Sequence, residues 1–162
     1  MRVVVADTGP LHYLVLIDAV ELLPRMFKRV LVPEIVAVEM NRSSTPAVVR
    51  SWLATMPPWL ERRSIEAAGI YPPRLGGGER AEIALAQVAN AALLLMDDRA
   101  GINEARARGL QATGTLGVLE RAGQLGFIDL PAAIARLKTT NFRYRPQLLD
   151  KLLTQAKRKG EA

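Results

Sequence analysis

No cysteine occurs in the 162-residue chain, and His12 is its only histidine. The first absence excludes a disulfide framework, a thiolate zinc centre and a cysteine nucleophile, and suits a reducing compartment. The second makes a zinc enzyme or a Ser-His-Asp hydrolase a poor match. Only a short apolar run separates Arg2 from Asp7, so neither a signal peptide nor a membrane span is expected there. Linker-like blocks, internal repeats and low-complexity stretches are also missing, and the length suits one domain. A soluble cytoplasmic protein without a membrane partner is expected.

What is abundant is arginine. The formal net charge is +6, and arginines outnumber lysines 17 to 5. The planar guanidinium fork suits bidentate contact with phosphate or carboxylate. Lys138, Arg143, Arg145, Lys151, Lys157, Arg158 and Lys159 face only Asp150 and Glu161 in the last stretch, so most of the excess lies at the C-terminal end. Charge alone leaves two readings of that end, a solvated helix with a basic tail or a nucleic-acid contact.

Apolar runs alternate with helix-forming segments. Val3 to Ala6, Arg29 to Val32 and Ala92 to Met96 read as buried strands, and a shorter one is expected at Gln111 to Thr113. Trp59 to Ile65 reads as an edge strand or an irregular segment. Between them the pattern predicts helices after Pro10, over Ala19 to Met26, Glu34 to Met40, after Thr45-Pro46, Glu79 to Asn90, Arg99 to Arg108 and Thr115 to Gln124. Two more follow, near Pro131 to Lys138 and Pro146 to Lys157. Such alternation argues for an α/β domain around a small parallel sheet. Gly76-Gly77-Gly78 closes a Pro- and Gly-containing stretch from Gly69 and is expected to be a hinge. It is not a phosphate-binding loop, because no lysine followed by serine or threonine closes it.

The candidate chemistry is carboxylate chemistry. Asp7 and Asp97 each follow a strand directly, and ligand crevices of open α/β sheets lie beyond the carboxyl ends of the strands. Glu39 interrupts the face that carries Val36 and Ile35. Glu79 and Glu82 can both project from one side of their helix, Glu82 beside Leu85, Ala86 and Ala89. Each acid also has an ordinary explanation. Asp7 could cap the following helix, Glu39 could pair with Arg42, Glu79 could favour a helix N-terminus, and Glu82 could pair at the surface. Asp98 fits the N-cap of the next helix better than the crevice. Two carboxylates about 4 Å apart repel by roughly 4 kcal/mol at an effective dielectric of about 20, so a cluster calls for a hard divalent cation.

The motifs that carry these acids resemble the PIN-domain ribonucleases, in particular the VapC-like toxins and related prokaryotic PIN proteins. They are Val4-Val5-Ala6-Asp7-Thr8-Gly9-Pro10-Leu11, Val32-Pro33-Glu34-Ile35-Val36-Ala37-Val38-Glu39, Gly78-Glu79-Arg80-Ala81-Glu82-Ile83-Ala84-Leu85-Ala86 and Leu94-Leu95-Met96-Asp97-Asp98-Arg99. Gly114-Thr115-Leu116-Gly117-Val118-Leu119 is a further match. The resemblance implies a Rossmann-like three-layer α/β/α fold over residues 1–140, with 141–162 a basic helix and tail. It implies Mg2+ or Mn2+ held by Asp7, Glu39, Asp97 and either Glu79 or Glu82, with Thr8, Asp98 and Arg99 in support. The implied reaction is hydrolysis of RNA phosphodiesters, and the implied partners are RNA, a small antitoxin and a second copy of the chain. The rival from another class is a non-catalytic PIN-like module that binds RNA or protein. An aspartyl-phosphate phosphotransferase is disfavoured, because its second aspartate would fall at Gly9.

Overall fold

A computed structural model describes residues 2–161. Among them are five strands, Val3–Ala6 (β1), Arg29–Pro33 (β2), Leu60–Arg63 (β3), Leu93–Leu95 (β4) and Ala112–Thr113 (β5). The helices are Thr8–Leu16 (α1), Leu22–Met26 (α2), Glu34–Met40 (α3), Ala47–Ala54 (α4), Gly77–Val88 (α5), Arg99–Ala107 (α6), Thr115–Gln124 (α7), Leu130–Leu137 (α8) and Pro146–Glu161 (α9). The strands form a single sheet in the order β3-β2-β1-β4-β5, with every pairing parallel. The expected α/β class and three-layer arrangement are therefore present. No helix among the described residues is long and apolar enough to cross a membrane.

Successive strand residues face opposite sides, and the two cores follow from that. Val4, Ala6, Val30, Val32 and Leu95 pack under α1, α2, α3, α4, α7, α8 and α9. Val5, Leu31 and Leu94 face the other way, against Ile83, Leu85 and Ala86 of α5 and Ala105 of α6. Removing water from each large aliphatic side chain contributes about 1.5–3 kcal/mol, which is how runs such as Val3-Val4-Val5 hold a strand buried on both faces. The amphipathic α9 belongs to the first core, with Leu149 and Leu152 buried.

The glycine triplet differs from expectation. It is no hinge: Gly76 is the N-cap of α5, and Gly77 and Gly78 are its first two residues. A side chain at Gly78 would stand in ordinary contact with Glu39, Val36 and Asp7, so the start of α5 lies beside both acids. The preceding stretch is also held, with Leu75 buried, the Leu75 carbonyl accepting from Arg80 Nε, and Arg108 donating to the Ile70 carbonyl at 2.7 Å.

Chain order fixes the location of the crevice. The first three strands step away from β1 on one side, and the chain then returns to place β4 on the other. The gap beyond the ends of β1 and β4 is thus the switch point at which such sheets bind ligands.

Candidate active site

Asp7 follows β1 and stands at the N-cap position of α1, where an aspartate would ordinarily accept from the second or third helical amide. It makes no such bond. The third helical residue is Pro10, which has no N–H to offer. Asp-Thr-Gly-Pro therefore starts a helix while leaving the carboxylate aimed elsewhere, and the capping explanation for Asp7 fails. Only 7% of Asp7 is exposed. Burial raises its pKa from 3.8 to about 7; the Thr8 amide opposes this, and the charges of Glu79, Glu39 and Asp97 add to it.

Glu82 is the most telling acid. It is fully buried on α5, and neither carboxylate oxygen has a hydrogen-bond partner. Burial lifts its pKa well above the usual carboxylate range, and Asp7, Glu79 and Asp97 push it further. The surface-pairing explanation is thereby excluded. Ile83, Leu85 and Ala86 anchor this helix in the core, so the position of Glu82 is set by packing rather than by polar partners. An unpaired buried carboxyl group is costly, and it persists here because the surrounding core over-determines it.

Asp97 follows β4 and is held from the far side of the sheet edge. The Thr115 amide donates to its Oδ1 and the Thr115 hydroxyl to its Oδ2, both at 2.7 Å. Burial raises the Asp97 pKa, while these two bonds lower it. Thr115 was not among the residues expected to act; its signal in the sequence was a Gly-Thr pair directly after the last short strand. Gly114 completes the fit, because a side chain there would collide with Asp97. Gly9 does the same from α1, with an added methyl 2.9 Å from Asp97 Oδ2.

Glu39 and Glu79 are half-buried and reach the same region from the rim. A methyl at Gly78 would sit 3.4 Å from Glu39 Oε2 and 3.7 Å from Asp7 Oδ1, so both acids flank one glycine. Glu79, in the first turn of α5, leans back over Gly76. The Thr8 hydroxyl is buried without a partner. Asp98 caps α6 by accepting from the Gly101 amide at 2.8 Å, and Arg99 is exposed beside Asp97. His12 lies on α1, its pKa lowered by burial.

The donors are all oxygens, which suits a hard divalent cation and disfavours softer metals. The orphaned Glu82 oxygens fit the same chemistry. As the side chains stand, no group of three or more acids among the described residues is close enough to form a coordination shell.

The family model described as "DUF3368: PIN domain" matches residues 3–158. The chain belongs to the PIN-domain family. Its fold is accordingly a nuclease-type fold, in a family whose members are generally nucleases and typically use divalent metal ions. This PIN domain is also similar to a solved PilT N-terminus domain protein from the hyperthermophilic archaeon Sulfolobus solfataricus P2. The identity is 13%, the TM-score 0.49, and the match covers 88% of this chain and 99% of the other. No curated protein matches the PIN domain at a significant level.

Proposed function

We propose that the chain is a metal-dependent endoribonuclease that hydrolyses RNA phosphodiester bonds and serves as the toxin of a toxin-antitoxin pair. One observation carries this reading: the fully buried, partnerless carboxyl group of Glu82 beside Asp7 at the switch point. Asp7, Glu39, Glu82 and Asp97 would hold Mg2+ or Mn2+, with Glu79 at the rim. The cation would polarise the phosphodiester and supply hydroxide from a bound water at neutral pH. The chain's own residues prepare that step. Thr115 fixes the orientation of Asp97, the Asp7 carboxylate makes no cap to its helix, and Glu82 is locked by core packing. With a pKa of about 7, Asp7 holds a proton part of the time near neutrality when no cation is bound. Arg99 is positioned to meet a flanking phosphate. A small antitoxin and a second copy of the chain are the partners this reading carries.

A second reading, a non-catalytic module for RNA or protein, is favoured by one observation, the spacing of the acids as they stand. The test is cleavage of a mixed RNA pool by the purified chain with Mg2+, Mn2+ or chelator, beside Asp7→Asn and Glu82→Gln. The nuclease reading expects cleavage that chelator abolishes and that either substitution lowers on the order of 10²–10³-fold. Cleavage unchanged by Asp7→Asn would sink it. RNA binding with no cleavage under any metal would establish the binding module.

A further inference from the structure

A groove of about 670 Å³ opens beside Asp97. That volume falls in the range of clefts that accept small organic groups, roughly 300–1,000 Å³. Helix α6 contributes Arg99 and Arg106, and the segment joining α8 to α9 contributes Phe142, Arg143, Tyr144 and Arg145. Among the described residues Asp97 is the only acid on its wall, and Thr115 already engages both of its oxygens. Among the described residues none of these four arginines pairs with an acid. Arg106 makes one 3.3 Å hydrogen bond to the Ala112 carbonyl.

The joining segment is anchored rather than draped. Tyr13 Oη on α1 donates to Asn141 Oδ1 at 2.9 Å, and the Phe142 ring meets the Tyr13 ring edge-on at 5.0 Å. The Phe142 amide donates to Thr140 Oγ1 at 3.2 Å. Residues 143–145 are thereby presented outward as Arg-Tyr-Arg. Tyr144 is 40% exposed, and among the described residues its ring stacks on no other.

We propose that this groove is a subsite for the unpaired nucleic-acid strand that flanks the cleaved bond, a reading that rests on the nuclease function above. The four guanidinium groups hold backbone phosphates, and the Tyr144 ring stacks on one base. An aromatic ring set between phosphate-binding cations is the usual platform for single strands, since any base offers a π-face. A base locked in a duplex does not offer it, so the subsite selects unpaired RNA. An acidic peptide would use the arginines and leave the ring without a role.

The test is fluorescence anisotropy of the full chain with labelled oligouridylate of about 12 nucleotides, in chelator so that nothing is cut. Tyr144→Ala should weaken binding about 5- to 150-fold, and Tyr144→Phe should bind as the parent does. The matching blunt duplex should bind more weakly than the single strand. Arg143→Ala with Arg145→Ala should lessen the slope of log affinity against log salt by about 1.4, at roughly 0.7 per lost phosphate contact. Equal binding of duplex and single strand, or full binding by a Tyr144→Ala chain with the parent's melting midpoint, would overturn the proposal. So would polyglutamate binding more tightly than the oligonucleotide. Binding without metal is read apart from cleavage: failure here leaves the metal site standing, and failure of cleavage leaves the groove standing.

Discussion

Acids at the edge of the sheet and acids at its centre are treated in opposite ways. At the β3 edge, Glu61 accepts a bidentate pair from Arg29 at 2.8 and 2.6 Å and a third bond from Arg63, which pull its pKa down to about 2. Glu34 is matched by Arg62 in the same manner, and its pKa is also lowered. At the switch point, Asp7, Glu82 and Asp97 are deeper in the protein, have raised pKa values, and among the described residues form no ion pair with arginine or lysine. Arginine is not scarce in this chain. Yet no arginine forms an ion pair with any of these three acids among the described residues, even where Arg99 and Arg106 line the groove beside Asp97, so their repulsion is left without a partner from the chain itself.

The contrast is most exposed to pH. Below about pH 4, Asp7 is protonated in folded and unfolded chains alike. As pH rises from about 4 to 7, the unfolded chain releases that proton while the folded chain keeps it, so the Asp7 contribution to stability falls and then levels off above about pH 7. At about 1.4 kcal/mol per pKa unit the loss from Asp7 is about 4 kcal/mol, with Glu82 adding to it. Denaturant titration of the metal-free chain measures this, and Asp7→Asn should flatten the curve; stability that rises over this interval would place the acids outside the interior.

Divalent metal should then act where the pH penalty is largest. At a hundredfold excess over its dissociation constant, Mg2+ or Mn2+ should stabilise the folded chain by about 2.7 kcal/mol at pH 7.5 or so. Thermal melts should show this shift in the parent and lose it in Glu82→Gln. An equal shift in both would mean the metal binds elsewhere.

Thr115→Val removes the hydroxyl that holds Asp97 Oδ2 while preserving shape. Altered support of a metal-binding group typically lowers affinity or activity by about 10- to 100-fold. RNA cleavage and metal titration should both register a loss near the low end of that range, because the Thr115 amide remains. Unchanged values would reduce Thr115 to a helix-start residue. Smallest of all should be Glu61→Gln on the edge strand β3. Its partners are solvent-accessible arginines, so cleavage should stay at the parental rate and the melting midpoint should move little. A large loss of cleavage would dissolve the contrast between the edge and the centre of the sheet.

Much of this was legible in the order of residues. Val3 to Ala6 and Arg29 to Val32 were strands as expected, because continuous β-branched and aliphatic runs are stable only between two covering layers. Asp98 was legible as a cap because its use is local, three residues away. The glycine triplet was not: its composition speaks of backbone freedom, whereas it caps and opens α5 beside Asp7 and Glu39. The Thr115 contact spans 18 positions of chain, and no local pattern encodes a bond of that kind.

By itself, then, the sequence determined that strands and helices alternate and that two aspartates each directly follow a buried strand, since periodicity and chain order are local properties. Tertiary structure alone decided that Glu82 lies sealed without a partner while Glu79 stays at the rim. It also decided which carboxylates receive an arginine and which do not. Burial and pairing are properties of what distant segments bring together, and desolvation acts only once they have met.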